Sequence, residues 1–253
     1  MTAVRYFGDP PPGIGPEEFP GRLIVVEGTD GVGRSTHIAL LKEWLEDRGF
    51  AALDTGFTRS ELAGPGIKRA KQGHTLDRFT LNLFYATDFW DRLERQIVPA
   101  LRAGMVVLAD RYIFSLIARA AVRGVPLEWM ENLYGFALVP DKVIYLDIDV
   151  ENLIPRVISS TGFDFWESGQ DFLRGPDVYH TSVEYQTRLL FEFRYLASRH
   201  KFTVIDGRGP IQEVFRSIRF EVDPVISGMG TEAKVETPPP RPTPRRKSAR
   251  ARS

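Results

Sequence analysis

The 253-residue chain contains no cysteine, so disulfides and thiolate zinc sites are excluded and a reducing compartment is expected. Histidine is scarce: His37, His74, His180 and His200 show no metal-ligand spacing, and each is expected at the surface or its boundary. No apolar run approaches the ~18 residues of a membrane span, and the start, Met1-Thr-Ala-Val-Arg-Tyr-Phe7, lacks a secretory core. A soluble, cytoplasmic protein without membrane contact is expected. Net charge is lacking too, yet from Pro224 onward seven basic residues stand against two acidic ones, which leaves an acidic body poorly suited to nucleic acid.

The most informative stretch is Gly28-Thr-Asp-Gly-Val-Gly-Arg-Ser-Thr36, placed directly after the apolar run Leu23-Ile-Val-Val-Glu27. It nearly fits the phosphate-loop pattern GxxxxGK[ST], with Gly28, Gly33 and Ser35 in register and Arg34 where lysine is expected. Helical periodicity follows from Ser35 to Asp47, so the strand, loop and helix that the motif requires are present. Glycines let successive N–H groups turn toward phosphate oxygens, the helix N-terminus adds partial positive charge, and a serine hydroxyl there can ligand magnesium.

Residues 1–21, dense in proline and glycine, read as an extended leader. Strands are predicted at 23–27, 51–54, 105–109, 142–147 and 202–206. Helices are predicted at 75–101, kinked or ended near Pro99, and at 113–122, 127–137, 181–198 and 210–220. This alternation implies a parallel sheet covered on both faces, with ligands at the carboxyl ends of its strands. Glu27, Asp110, Asp147 and Asp206 all fall at such ends, where magnesium and phosphates would be handled. Residues 161–177 read as a mobile loop, and the Pro-rich basic tail, 224–253, as a disordered run with at most a weak polyanion contact.

Several further stretches recur in a fixed order: Thr58-Arg59, Leu83-Phe-Tyr-Ala-Thr-Asp88, Asp110-Arg-Tyr-Ile-Phe-Ser115, Val139-Pro-Asp-Lys-Val-Ile-Tyr-Leu-Asp147 and Val204-Ile-Asp206. Together with the loop they resemble the thymidylate kinases, P-loop nucleoside monophosphate kinases, from Leu23 to about Glu221. The resemblance implies an α/β fold of the P-loop NTPase type, three layers α/β/α around a five-stranded parallel sheet. A kinase domain would span 22–223, with a lid at about 160–178. It implies transfer of the γ-phosphoryl group of MgATP to dTMP, and a homodimer formed through helices flanking the sheet, among them 75–101 and 113–122.

Carried over, ATP would be held by Gly28, Thr29, Asp30, Gly31, Val32, Gly33, Arg34, Ser35 and Thr36, with Arg156 near the lid. Magnesium would be held through Ser35 and Asp30. Arg59 and Arg111 would grip the acceptor phosphate, Asp110 would orient Arg111 or act through water on the metal, and Tyr85 would stack on the base. The catalytic set would be Arg34, Asp30 and Arg111.

Departures from the family pattern are equally specific. Arg34 replaces the loop lysine, Gly31 and Val32 stand where the family can carry an arginine, and Thr161–Glu167 has none, leaving Arg156 and Arg174 nearest. Phe89 replaces an arginine that addresses thymine, and Arg119 replaces an aromatic near the sugar. Two alternatives follow: a kinase for another nucleotide acceptor, or an ATP-binding regulator or scaffold that no longer turns over.

Overall fold

Side chains of a strand alternate between its two faces, so a strand buried on both sides must be apolar throughout. The run Arg22–Glu27 (β3) shows this: Leu23 and Val25 enter one core while Ile24 and Val26 enter the other. The structure, a computed structural model, describes residues 2–3, 5–10, 18–73, 76–160 and 162–229. It builds an all-parallel five-stranded sheet from β3, Ala52–Gly56 (β4), Val106–Asp110 (β5), Lys142–Asp147 (β6) and Thr203–Asp206 (β7), ordered β4-β5-β3-β6-β7. Central β3 pairs Ile24 with Leu108 on one side and Val26 with Ile144 on the other. The three-layer P-loop fold expected from the sequence is the fold observed.

One face is covered by Arg34–Asp47 (α1), Val150–Ser160 (α7) and Ile211–Ile226 (α9). The opposite face is covered by Arg78–Arg92 (α3), Ile113–Val122 (α5) and Val178–His200 (α8). Gly64–Gly73 (α2) follows β4, and Leu127–Leu133 (α6) follows α5. Among the described residues no helix is long and apolar enough to cross a membrane.

Several boundaries differ from the expected ones, each for a local reason. The helix expected from 75 starts at Arg78 because Asp77 caps it, accepting from Phe79 N at 2.8 Å. It continues as a π-helical turn, Leu93–Ile97, into Val98–Arg102 (α4), where Pro99 can donate no backbone bond to the preceding turn. The helix expected over 127–137 stops at Leu133, since residues 135–139 pair with the leader: Phe7 N donates to Ala137 O and Gly8 N to Gly135 O. The leader also carries a short antiparallel pair, Thr2–Ala3 (β1) with Glu18–Phe19 (β2). The tail boundary expected at Pro224 falls inside α9, which buries Val222 and Ile226 and is followed by buried Met229. Leader residues 11–17, His74 and Thr75, Thr161 and the tail from 230 lie outside the described residues.

Candidate functional site

The phosphate loop connects β3 to α1, and its backbone demands the glycines it has. Gly28, Gly31 and Gly33 hold φ of +147°, +84° and +99°, a region L side chains avoid. A Cβ on Gly31 would also fall 2.9 Å from Val157 Cγ2 of α7. Helix α1 carries no acidic residue in its first turn and Gly33 offers no capping side chain, so its leading N–H groups are left for an anion. Thr29 Oγ1 is buried in the loop without a hydrogen-bond partner among the described residues.

Arg34 leaves the first turn of α1 and folds back beneath this loop, 7% exposed. Its Nε donates to Asp110 Oδ1 at 2.9 Å, Nη2 to Asp30 Oδ1 at 3.2 Å, and Nη1 to the carbonyls of Gly28 and Thr29. A planar fork can satisfy four oxygens in this way, whereas an ammonium has only three donors. Ser35 Oγ donates to Asp110 Oδ2 at 2.7 Å. Asp30 is held by three guanidinium groups, those of Arg34, Arg111 and Arg119.

Arg111 follows the end of β5 in a left-handed conformation, φ +72°, and its N–H bonds Val26 O at 3.1 Å. The turn is fixed from inside by Glu27, whose Oε1 accepts from Tyr112 N and Ser115 N while Oε2 bonds Ser115 Oγ. Full burial pushes the Glu27 carboxyl up to about 7, despite these hydrogen bonds and the charge of Arg34. Glu27 is therefore internal scaffolding, contrary to the expectation that it faces the phosphates. Burial, with Arg119 close by, lowers the Arg111 guanidinium to about 9.

A cavity of about 290 Å³ opens here, lined by Asp30, Arg34, Ser35, Arg59, Tyr85, Asp110, Arg111 and Arg119. A second cavity, of about 350 Å³, shares Lys71, Tyr85, Arg119 and Glu167 with it and continues along Leu76, Leu81, Asn82, Leu116, Phe165 and Phe172. A compartment lined by four arginines thus adjoins one with a largely apolar wall. Burial raises the Tyr85 hydroxyl to about 12, and its ring packs 6.0 Å from that of Phe57. The segment expected to form a lid walls both compartments. Glu167 grips Arg119 at 2.7 and 2.9 Å, Trp166 Nε1 donates to Lys71 O at 3.0 Å, and Arg123 pairs with Asp171 at 2.7 Å. Burial alone would raise the Glu167 carboxyl, but Arg119, Arg111 and Lys71 outweigh it and hold it at about 2.

The structure brings together every expected site residue on or beside the loop and at the two arginine positions. Three others, Phe89, Arg156 and Arg174, lie elsewhere. Phe89 is fully buried, its ring 5.0 Å from Tyr112 and 5.7 Å from Phe136, and borders neither compartment. Arg156 donates to the carbonyls of Gly207 and Arg208 at 2.8 Å, and Arg174 to Leu173 O at 3.4 Å. Asp147 pairs with Arg194 and Asp206 with Arg208, so of the strand-end acids Asp110 alone reaches the cavity. His37, expected at the surface, is 3% exposed and stacked on Phe215 of α9. Lys71 and Glu167 were not foreseen; Glu167 meets Arg119 across 48 residues, a separation that leaves no local signal.

The donor set suits a hard cation. Ser35 and Asp110 offer adjacent oxygens at the loop, and although no group of three or more metal-ligating side chains occurs among the described residues, magnesium commonly takes one or two carboxylates with substrate phosphates. Asp110, rather than Asp30, is the carboxylate that touches Ser35.

A glycine loop feeding a helix, at the carboxyl end of a parallel sheet and opening into an arginine-lined cavity that adjoins an apolar-walled one, defines a P-loop nucleotide kinase. The family model for thymidylate kinase matches residues 26–218. A probable thymidylate kinase 2 of Saccharolobus solfataricus is 36% identical over 201 residues, 79% of this chain and 94% of its own. Probable thymidylate kinases of Thermococcus gammatolerans and Staphylothermus marinus are each 34% identical, covering 78% of this chain and 94% and 92% of theirs. The chain belongs to the thymidylate kinase family and is a nucleoside monophosphate kinase.

Proposed function

We propose that the chain transfers the γ-phosphoryl group of MgATP to the 5′-phosphate of dTMP, giving dTDP and ADP. The observation that carries this is the sharing of one cavity by the ATP side, Arg34 and Ser35, and the acceptor side, Arg59 and Arg111. An acceptor phosphate oxygen attacks Pγ as the bond from Pγ to the β–γ bridging oxygen breaks, and ADP carries that oxygen away. The attacking group is already anionic, so the residues position and neutralise rather than abstract a proton. Arg34 supplies charge beneath the loop. Arg111 and Arg119, held by Asp30 and Glu167, are aimed and can exchange part of that pairing for phosphate oxygens. Magnesium at Ser35 and Asp110 would neutralise charge on the nucleotide phosphates. Tyr85 stands where a base can lie against its ring.

A second reading, a different base or sugar, is favoured by the burial of Phe89 away from the pocket and by Arg119 on its wall. A panel of dTMP, dUMP, dCMP, dGMP and their ribose counterparts with MgATP separates the two. Fastest ADP formation with dTMP is expected; preference for another monophosphate selects the second reading, and no turnover with any refutes both.

The homodimer is part of this proposal, with its face narrowed to the first of the two expected helices. Helix α5 already buries its apolar side chains within the monomer, whereas α3 leaves Leu83 and Phe84 exposed at 48% and 37%. Sedimentation at a dimer mass, shifted toward monomer by Leu83→Asp, is the expected result.

A further inference from the structure

Arg59 sits at the tip of the turn between β4 and α2, and this turn has a fully buried support. Asp88 of α3, 0% exposed, accepts from Thr58 N at 3.2 Å on Oδ2 and from Ser60 N at 3.0 Å on Oδ1. The carboxylate therefore grips the backbone on both sides of Arg59. Its neighbour one turn on, Arg92, donates Nε to Asp88 Oδ2 at 3.0 Å and Nη1 to Thr55 Oγ1 at 3.3 Å, tying the grip to β4. Asp91 accepts from Ser60 Oγ at 2.6 Å, and Ser60 Oγ in turn accepts from Leu62 N and Ala63 N at the start of α2.

The arrangement is expensive for a turn. Thr58, a β-branched residue, is held at φ +58°. Asp88 and Arg92 are 0% and 1% exposed, and Arg92 Nη2 has no hydrogen-bond partner among the described residues. A buried ion pair adds little stability over apolar packing, and a strained residue persists where its surroundings dictate a geometry. What that geometry displays is the Arg59 guanidinium, half exposed, lining the anion cavity and bonded to Asp54 Oδ2 at 2.8 Å. Asp88 also lies one turn past Tyr85 on the same helix, so one rigid element sets both the ring beside the base compartment and the arginine beside the phosphate.

We infer that Asp88, locked by Arg92, is a positioning residue for the acceptor phosphate, acting through the Thr58–Ser60 turn to hold Arg59 in the anion cavity. This rests on the reading of Arg59 as a grip on the acceptor. Only an ionised carboxylate accepts both turn amides and the guanidinium at once; an asparagine would turn an NH2 toward one of those donors. Asp88 stands apart from the ATP side, since among the described residues none of its hydrogen bonds reaches the glycine loop.

The test uses steady-state kinetics of the full chain with dTMP, or with the monophosphate the panel selects, varying acceptor and ATP separately. Arg59→Ala should raise the acceptor KM on the order of 10- to 100-fold, the range for a lost hydrogen bond to a charged group, with the ATP KM within about twofold. Asp88→Asn should do the same, and the double variant Arg59→Ala with Asp88→Asn should be no worse than Arg59→Ala alone, because both remove one interaction. If Asp88→Asn fails to fold with Arg92 left uncompensated, Asp88→Asn combined with Arg92→Met removes the buried charge and carries the same expectation. An effect of Arg59→Ala without one of Asp88→Asn overturns the inference alone. So do multiplying effects in the double variant, a parallel rise in the ATP KM, or failure of both Asp88 variants to fold. No effect of Arg59→Ala overturns the reading of Arg59 and the inference with it.

Discussion

Replacing Arg34 tests whether the residue that departs from the phosphate-loop pattern serves the reaction. Its fork contacts four oxygens: Asp110 at 2.9 Å, Asp30 at 3.2 Å and the carbonyls of Gly28 and Thr29. Removing it does not strand the two carboxylates, because Asp30 keeps Arg111 and Arg119 and Asp110 keeps Ser35. Arg34→Ala should therefore lower stability by only ~1–2 kcal/mol. It would, however, leave the two carboxylates and two carbonyl oxygens beside the incoming phosphates without the cation that offsets them. A cation at the transferred group is worth ~10³ or more in related sites, so kcat should fall by about that factor. Arg34→Lys restores the charge but cannot span Asp30, Asp110 and both carbonyls, and a fall of about tenfold or more is expected. ADP release followed by a coupled assay, beside a thermal melt of each variant, reads both effects. A rate for Arg34→Ala within a few-fold of the parent, or for Arg34→Lys at or above it, would show that the Arg34 fork does not serve the reaction.

Glu27 titrates near 7 in the folded chain against an ordinary 4.5, so its contribution is fully present below 4.5 and is lost as pH rises through 7. That amounts to about 3 kcal/mol over the window. Glu27→Gln mimics the protonated acid, so its melting temperature should lack that slope and match or exceed the parent's at pH 8. A lower melt at pH 8 with the slope intact would contradict the assignment. Phe89→Leu should cost about 1–3 kcal/mol through lost ring packing. It should leave the dTMP-to-dUMP preference unchanged; a shifted preference would return Phe89 to the pocket. Ile226→Ala should lower stability by ~2–5 kcal/mol, whereas Phe220→Ser, at a residue 77% exposed on the same helix, should move it by no more than ~0.5 kcal/mol. Equal responses in a denaturant titration would show that α9 does not dock beyond Pro224.

The phosphate loop was legible because its chemistry is local: glycine spacing, a preceding apolar run and a following amphipathic helix all lie within about 25 residues. The sheet was legible because strands buried on both faces become unbroken apolar runs. What escaped depends on partners far along the chain. Glu27 looks like any acid at a strand end until Tyr112 and Ser115 close over it, 85 and 88 residues away. His37 looks like a polar helix residue until α9 covers it. Phe89 sits one residue past Asp88 on a periodic helix, and periodicity marks a buried face without saying whether a pocket or a core lies behind it. Glu167 carries no local signal either, because its partner Arg119 lies 48 residues away. Composition opens the Pro-rich tail at Pro224, although burial of Val222 and Ile226 carries the helix through it.

The proposed reaction is direct transfer from nucleotide to nucleotide within one cavity. Incubating the full chain with magnesium, dTMP and ATP labelled at the γ-phosphate, then separating products, measures it most directly. The label should appear in dTDP in step with ADP formed. Label that stays in ATP, or that accumulates as inorganic phosphate whether or not dTMP is present, would contradict it.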